Sequence, residues 1–200
     1  MSFRDFTFPQ VCTDLGLNFD EKPLFRDVSP VAIDAHTQEF LELGRTMSSG
    51  INNEKARSEF VIAPFLLKLY ILSGKRFGLF SGTELNVDVS RGLNGVCDFL
   101  LAREPLVYML RAPLIAVVEA KNDNVNNGFG QCVASMKAIE LYNQKHGKPT
   151  DTIYGASTTG VAWKFFQLQD NNLTLDSDDY EFGDLGKVGG ILLHIVNSQK

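Results

Sequence analysis

The sequence predicts an α/β (α+β) fold, a central mixed sheet of about four to six strands flanked by helices. Two runs, "VCDFLLA" at 96–102 and "PLIAVVEAKN" at 113–122, are almost wholly apolar, as strands buried inside a sheet are. Apolar residues at helical spacing precede them and follow them. Further short runs punctuated by Gly and Asn, "TIYGASTTG", "VAWKFFQLQ" and "NLTLD", extend the sheet.

Each element has a local reason. Residues 1–34 carry Phe3, Phe6, Phe8 and Phe25 without a sustained period, so they read as an irregular arm packed on through aromatics. Ile33, Phe40, Leu41 and Leu43 suggest a first helix from Val31 to about Met47, ending at "SSG". A second helix begins near "NNEKARSEF", where Asn52 or Asn53 can cap and Glu54 suits the first turn. Its expected stripe is Ala56, Phe60, Ala63 and Leu67, with a kink or break at Pro64. After Gly74 come three strands, "RFGLFSGTELNVDV" and the two apolar runs, the last two forming a hairpin. The third helix is "GFGQCVASMKAIELYNQKHG", terminated by Gly147. Two strands broken at Gly160 and a weaker one after the Asn171-Asn172 turn follow, and the tail "GKVGGILLHIVNSQ" closes as a helix weakened by Gly189 and Gly190. No repeat or linker divides the 200 residues, so one domain is expected: an arm at 1–34, a core at 50–170 and an extension at 171–200.

Composition narrows the function classes. With 44% hydrophobic and 22% charged residues the chain is ordinary globular protein. No apolar stretch approaches the roughly 20 residues of a membrane span, and the start lacks a signal-peptide core, so a cytoplasmic protein without membrane contact is expected. Cys12, Cys97 and Cys132 are too few and too scattered for a disulfide framework or zinc site and read as reduced packing residues. The net charge of -5 does not suggest nucleic-acid binding, yet its distribution is uneven. Acid gathers in "DSDDYEFGD", whereas 54–76 holds Lys55, Arg57, Lys68, Lys75 and Arg76 against Glu54 and Glu59.

The chemistry lies where charges interrupt apolar strands. Glu119 and Lys121 share one face of their strand, and Asp98 on a neighbouring strand about 4.8 Å away can reach the same place. Two carboxylates that close repel, and a divalent cation removes the penalty. Oxygen ligands alone suit Mg²⁺ or Mn²⁺.

An Asp, then Glu-x-Lys about twenty residues on at the end of an apolar strand, a preceding helix carrying Glu and a following helix opening with Gln together resemble the PD-(D/E)XK nuclease superfamily. The residues that carry the resemblance are Glu59 in "KARSEFVIAP", Asp98 in "GVCDFLL", Glu119 and Lys121 in "VVEAKN", and Gln131 in "GFGQCVASM". The stretch "YGASTTGVAWKFFQLQ" looks like the strand, turn and strand that follow this core in the N-terminal nuclease domain of type I restriction subunits. Cys97 replaces the name-giving proline, and no Walker A sequence is present.

The resemblance implies a restriction-endonuclease-like core and a Mg²⁺-dependent DNA endonuclease of restriction, defence or repair type. Asp98, Glu119 and the Ala120 carbonyl would hold the metal, with Glu59 acting through water or a second metal. Lys121 would act on the attacking water and the phosphate, and Gln131 would position water or phosphate. DNA is implied ahead of RNA, and a homodimer because one such core cuts one strand. The alternative is a nuclease-fold module without robust activity, a nucleic-acid-binding or protein-interaction subunit of a defence or repair system.

Plainer readings compete. Asp98 with Lys121 makes a buried ion pair, but Glu119 then adds an unmatched charge. Glu59 can simply face solvent or pair with Lys55, and Gln131 alone reads as structural. "GFGQCV" fails the dinucleotide fingerprint at Val133. The three histidines are scattered, and Trp163, Phe165 and Phe166 are core before they are a base-stacking surface.

Overall fold

The computed structural model describes residues 1–105 and 108–198. Its centre is a mixed eight-stranded sheet: β1 (Asn18–Lys22), β2 (Gly78–Glu84), β3 (Val96–Ala102), β4 (Leu114–Ala120), β5 (Ile153–Thr158), β6 (Ala162–Gln169), β7 (Asn172–Asp176) and β8 (Tyr180–Glu181). Strand order is β1-β7-β6-β5-β4-β3-β2, with β8 beside β6. Among the described residues only β1–β7 and β4–β5 pair in parallel. The α-helices among the described residues are α1 (Gln10–Leu15), α2 (Ala35–Ile51), α3 (Glu54–Arg57), α4 (Ala63–Leu72), α5 (Phe129–Lys145) and α6 (Leu185–Ser198).

The sheet exceeds the expected four to six strands. The strand missed in the arm is β1, "NFDEK", which is exposed along its whole length and so lacks the alternation that marks a half-buried strand. Its charges suit an edge. The arm also forms α1 and drives Phe3, Phe6, Val11 and Leu15 into the core, so it is less irregular than its composition suggests.

Helices cover both faces. On one, α5 packs with the arm: Val117, Cys132, Val133, Met136, Phe166 and Phe3 share one apolar cluster. On the other, α4 with the turn before it and α6 bring Ile62, Phe65, Leu69, Val188 and Ile191 against Phe99, Val118 and Trp163. The aromatic run is therefore core, with Trp163, Phe165 and Phe166 all buried. Gly189 and Gly190 do not break α6: a Cβ on Gly190 would overlap the Ser29 carbonyl, so glycine allows the arm to approach. The last two residues of the expected 171–200 extension lie outside the described residues.

Two helical stripes fall differently than their spacing predicts. α2 starts at Ala35, capped by the Asp34 side chain on Thr37 N–H, and runs past the expected end to Ile51. It buries Leu41, Gly44 and Ser48 but leaves Phe40 and Leu43 outside. Asn52 ends it in a left-handed conformation, and Asn53 caps α3 through the Ala56 N–H at 2.8 Å. A π-helical turn, Ser58–Ile62, then precedes Pro64. Its extra residue rotates the face, so Val61, Ile62, Phe65 and Leu66 are buried and the expected Leu67 is exposed. The break expected at Pro64 therefore takes the form of this wide turn.

Candidate active site

The hairpin register brings the charges together. Phe99 pairs with Val118 and Leu100 with Val117, so continuing the ladder sets Asp98 opposite Glu119. Asp98 Oδ2 accepts the Ala120 N–H at 2.8 Å. Glu119 is fully buried and points at α5, where Gln131 Nε2 donates to Oε2 at 2.6 Å and Ser135 Oγ donates to Oε1 at 2.9 Å. Gln131 and Ser135 lie one turn apart, so both reach one carboxyl group.

Lys121 lies beyond the strand end, its amide donating to the Thr158 carbonyl at 2.7 Å. Its Nζ donates to the Ala120 carbonyl at 2.7 Å and to Gln131 Oε1 at 3.0 Å. A lysine ammonium has no acceptor, so the amide orientation of Gln131 follows from its neighbours: oxygen toward Lys121, nitrogen toward Glu119. Gly128 permits this closeness, because a Cβ there would overlap Ser157 Oγ and lie 3.0 Å from Lys121 Cγ.

The electrostatics are unbalanced. Burial raises the Glu119 carboxyl well above its ordinary value, the neighbouring Asp98 charge raises it further, and Lys121 opposes them. The buried thiols of Cys97 and Cys132 are pushed up by burial and then by Glu119, so they stay neutral and pack.

Of the predicted site residues, Asp98, Glu119, Ala120, Lys121 and Gln131 converge. Glu59 does not: its side chain is 56% exposed and lies 3.7 Å from Lys55. The buried helix carboxylate expected there is corrected by the same π turn, which aims Val61 and Ile62 inward instead. The carboxylate that approaches the site is Glu54, with Oε2 3.9 Å from Lys121 Nζ. Ser135 was also missed; its signal was the i+4 spacing from Gln131 on a small-residue face. Arg57 Nε reaches Asn122 Oδ1 at 3.4 Å beside the same mouth.

No protein-family model and no curated protein matches this chain. Among solved structures it is similar to a chain of a DrdV–DNA complex determined by cryo-electron microscopy, with a TM-score of 0.47 and 14% identity, over 84% of this chain and 14% of that one. At that level the chemistry has to be argued from the residues themselves.

Among the described residues no three His, Cys, Asp or Glu side chains cluster as metal ligands. Two carboxylates do meet, and the buried one is destabilised when charged by its neighbour, which is the electrostatic demand that a hard cation meets. Asp98, Glu119 and the Ala120 carbonyl supply oxygen donors fitting Mg²⁺ or Mn²⁺. In the present arrangement the Ala120 oxygen is occupied by the Lys121 ammonium. Among the described residues no helix is long and apolar enough to cross a membrane.

Proposed function

We propose that this chain is a Mg²⁺- or Mn²⁺-dependent nuclease that hydrolyses phosphodiester bonds in DNA. The observation that carries the reading is the fully buried Glu119 beside Asp98, tied through Gln131 to Lys121. Among the described residues Lys121 pairs with Glu54 and with neither Asp98 nor Glu119, so a structural ion pair accounts for neither carboxylate. The sequence resemblance to PD-(D/E)XK nucleases supports the same assignment.

Asp98, Glu119 and the Ala120 carbonyl would hold the cation, which when bound supplies Lewis acidity toward the phosphodiester and lowers the pKa of a water. Gln131 and Ser135, which donate to its two oxygens, would hold the Glu119 carboxylate in place by hydrogen bonds. Lys121, released from the Ala120 oxygen, is free to donate to a phosphate oxygen and to orient the attacking water. Gln131 keeps the amine within reach of both. Glu54 lies 3.9 Å from the ammonium at the mouth.

A second reading, a nuclease-fold subunit without robust activity, is favoured by one observation: Lys121 already donates to Ala120 and Gln131, so a phosphate has to compete for it. Incubating the pure protein with supercoiled plasmid and Mn²⁺ or Mg²⁺ separates the two. Nicking that disappears in Lys121→Ala supports the enzyme; a folded wild type inert with both metals supports the subunit.

A further inference from the structure

The face of α2 that carries its large apolar side chains is not the face the core uses. Phe40, Leu43, Met47 and Ile51 are 53%, 58%, 47% and 50% exposed. Their i, i+3, i+7, i+11 spacing makes one stripe along the helix. Beside it α4 presents Leu67 and Ile71, 55% and 60% exposed, across a groove of about 450 Å³ that Phe40 and Pro64 also line. Six such side chains offer on the order of 600 Å² of adjoining apolar surface, where a soluble monomer leaves open about 300–600 Å² at its largest patch. That area is somewhat less than the ~800 Å² that each partner of a standard interface contributes, which suits a dimer that dissociates on dilution. The polar rim includes Glu39 and Lys68, the latter paired with Asp34.

We propose that this α2–α4 face is a two-fold interface with a second copy of this chain. A two-fold contact requires a patch complementary to itself. The α2 stripe meets that requirement when two copies pack antiparallel with the axis beside Leu43. Phe40 of one copy then lies opposite Met47 of the other, and His36 opposite Ile51, so large side chains meet along the whole helix and the stripe itself carries no carboxylate or ammonium. The groove between α2 and α4 receives the edge of the second α2. This surface is argued from exposure and spacing alone and stands or falls separately from the nuclease reading.

Sedimentation velocity from micromolar to submillimolar concentration reads the outcome. The wild type should show a concentration-dependent dimer, and Leu43→Glu or Leu67→Glu should weaken it by at least about a hundredfold, as burying an unpaired charge at an interface centre does. Because both residues are exposed in one copy, melting of the monomer should be unchanged. Val89→Glu, at a side chain 68% exposed elsewhere, should leave the dimer intact. Leu43→Cys adds an exposed thiol to a chain whose own cysteines are buried, and should form a disulfide-linked dimer on oxidation. A wild type that stays monomeric throughout, including one that proves to take a different protein on this face, overturns the proposal. So does a dimer that both glutamate variants leave unchanged.

Discussion

Gln131 joins Glu119 to Lys121, donating to the carboxyl group at 2.6 Å while accepting from the ammonium at 3.0 Å. One side chain thus fixes the separation between the buried acid and the amine that the proposed chemistry needs. Replacing it with Leu keeps the volume but leaves a donor and an acceptor unmatched. Gln131→Leu should lose about 1–3 kcal/mol of stability, read from the denaturant midpoint, and should reduce any nicking further than that loss explains. Unchanged stability and rate would mean that the bridge is incidental.

The Glu119 shift predicts the pH dependence of stability. Its folded-state value lies above that of the unfolded chain, so the folded form holds the proton longer. The stabilisation is fully present below the usual carboxylate range and is lost as pH rises through the folded-state value. Metal-free protein should therefore become less stable from about pH 5 upward on account of this group. Glu119→Gln should flatten that decline without destabilising the fold, since a Gln oxygen can accept from Gln131 while the Ser135 hydroxyl turns to accept from its amide. Mg²⁺ binding should release protons and tighten with pH, measurable by calorimetry in buffers of different ionisation enthalpy. A strongly destabilised Glu119→Gln would instead mark Glu119 as a structural anion.

Glu54 and Glu59 offer a paired test within one helical segment. Glu59 makes an exposed pair with Lys55, worth about 0.3–0.5 kcal/mol, so Glu59→Gln should be nearly silent in stability and nicking. Glu54→Gln removes the carboxylate nearest Lys121 and should lower nicking while leaving the fold intact. The reverse ranking would restore the assignment made from the sequence.

Gly128→Ala tests whether the close approach of α5 sets the site. The added methyl would meet Ser157 and the Lys121 stem, so it should cost about 1–3 kcal/mol and impair nicking. Stability at the wild-type level would show that the α5 start can move aside.

What the sequence made legible follows from period and alternation. The apolar runs of β3 and β4 are unmistakable, and strand alternation alone put Glu119 and Lys121 on one face, where both now contact Gln131. β1 was not legible because an exposed edge strand has no buried face to write into its sequence. Leu67 was misplaced because extrapolating a 3.6-residue period through a π turn rotates every later side chain, whereas of the two readings open for Glu59 the structure shows the exposed pair with Lys55. The exposure of Phe40 and Leu43 was likewise hidden, since apolar spacing marks a sticky face without saying what covers it.

The account's central claim, that Lys121 is the amine of a metal-dependent phosphodiester site, is tested most directly by measuring DNA binding and single-turnover nicking on the same preparations of wild type, Lys121→Ala and Lys121→Met with Mg²⁺. The amine acts in the transition state, so both variants should keep binding metal and DNA while nicking falls by about a hundredfold or more. Parallel loss of binding and nicking, or nicking that survives in both variants, would contradict it.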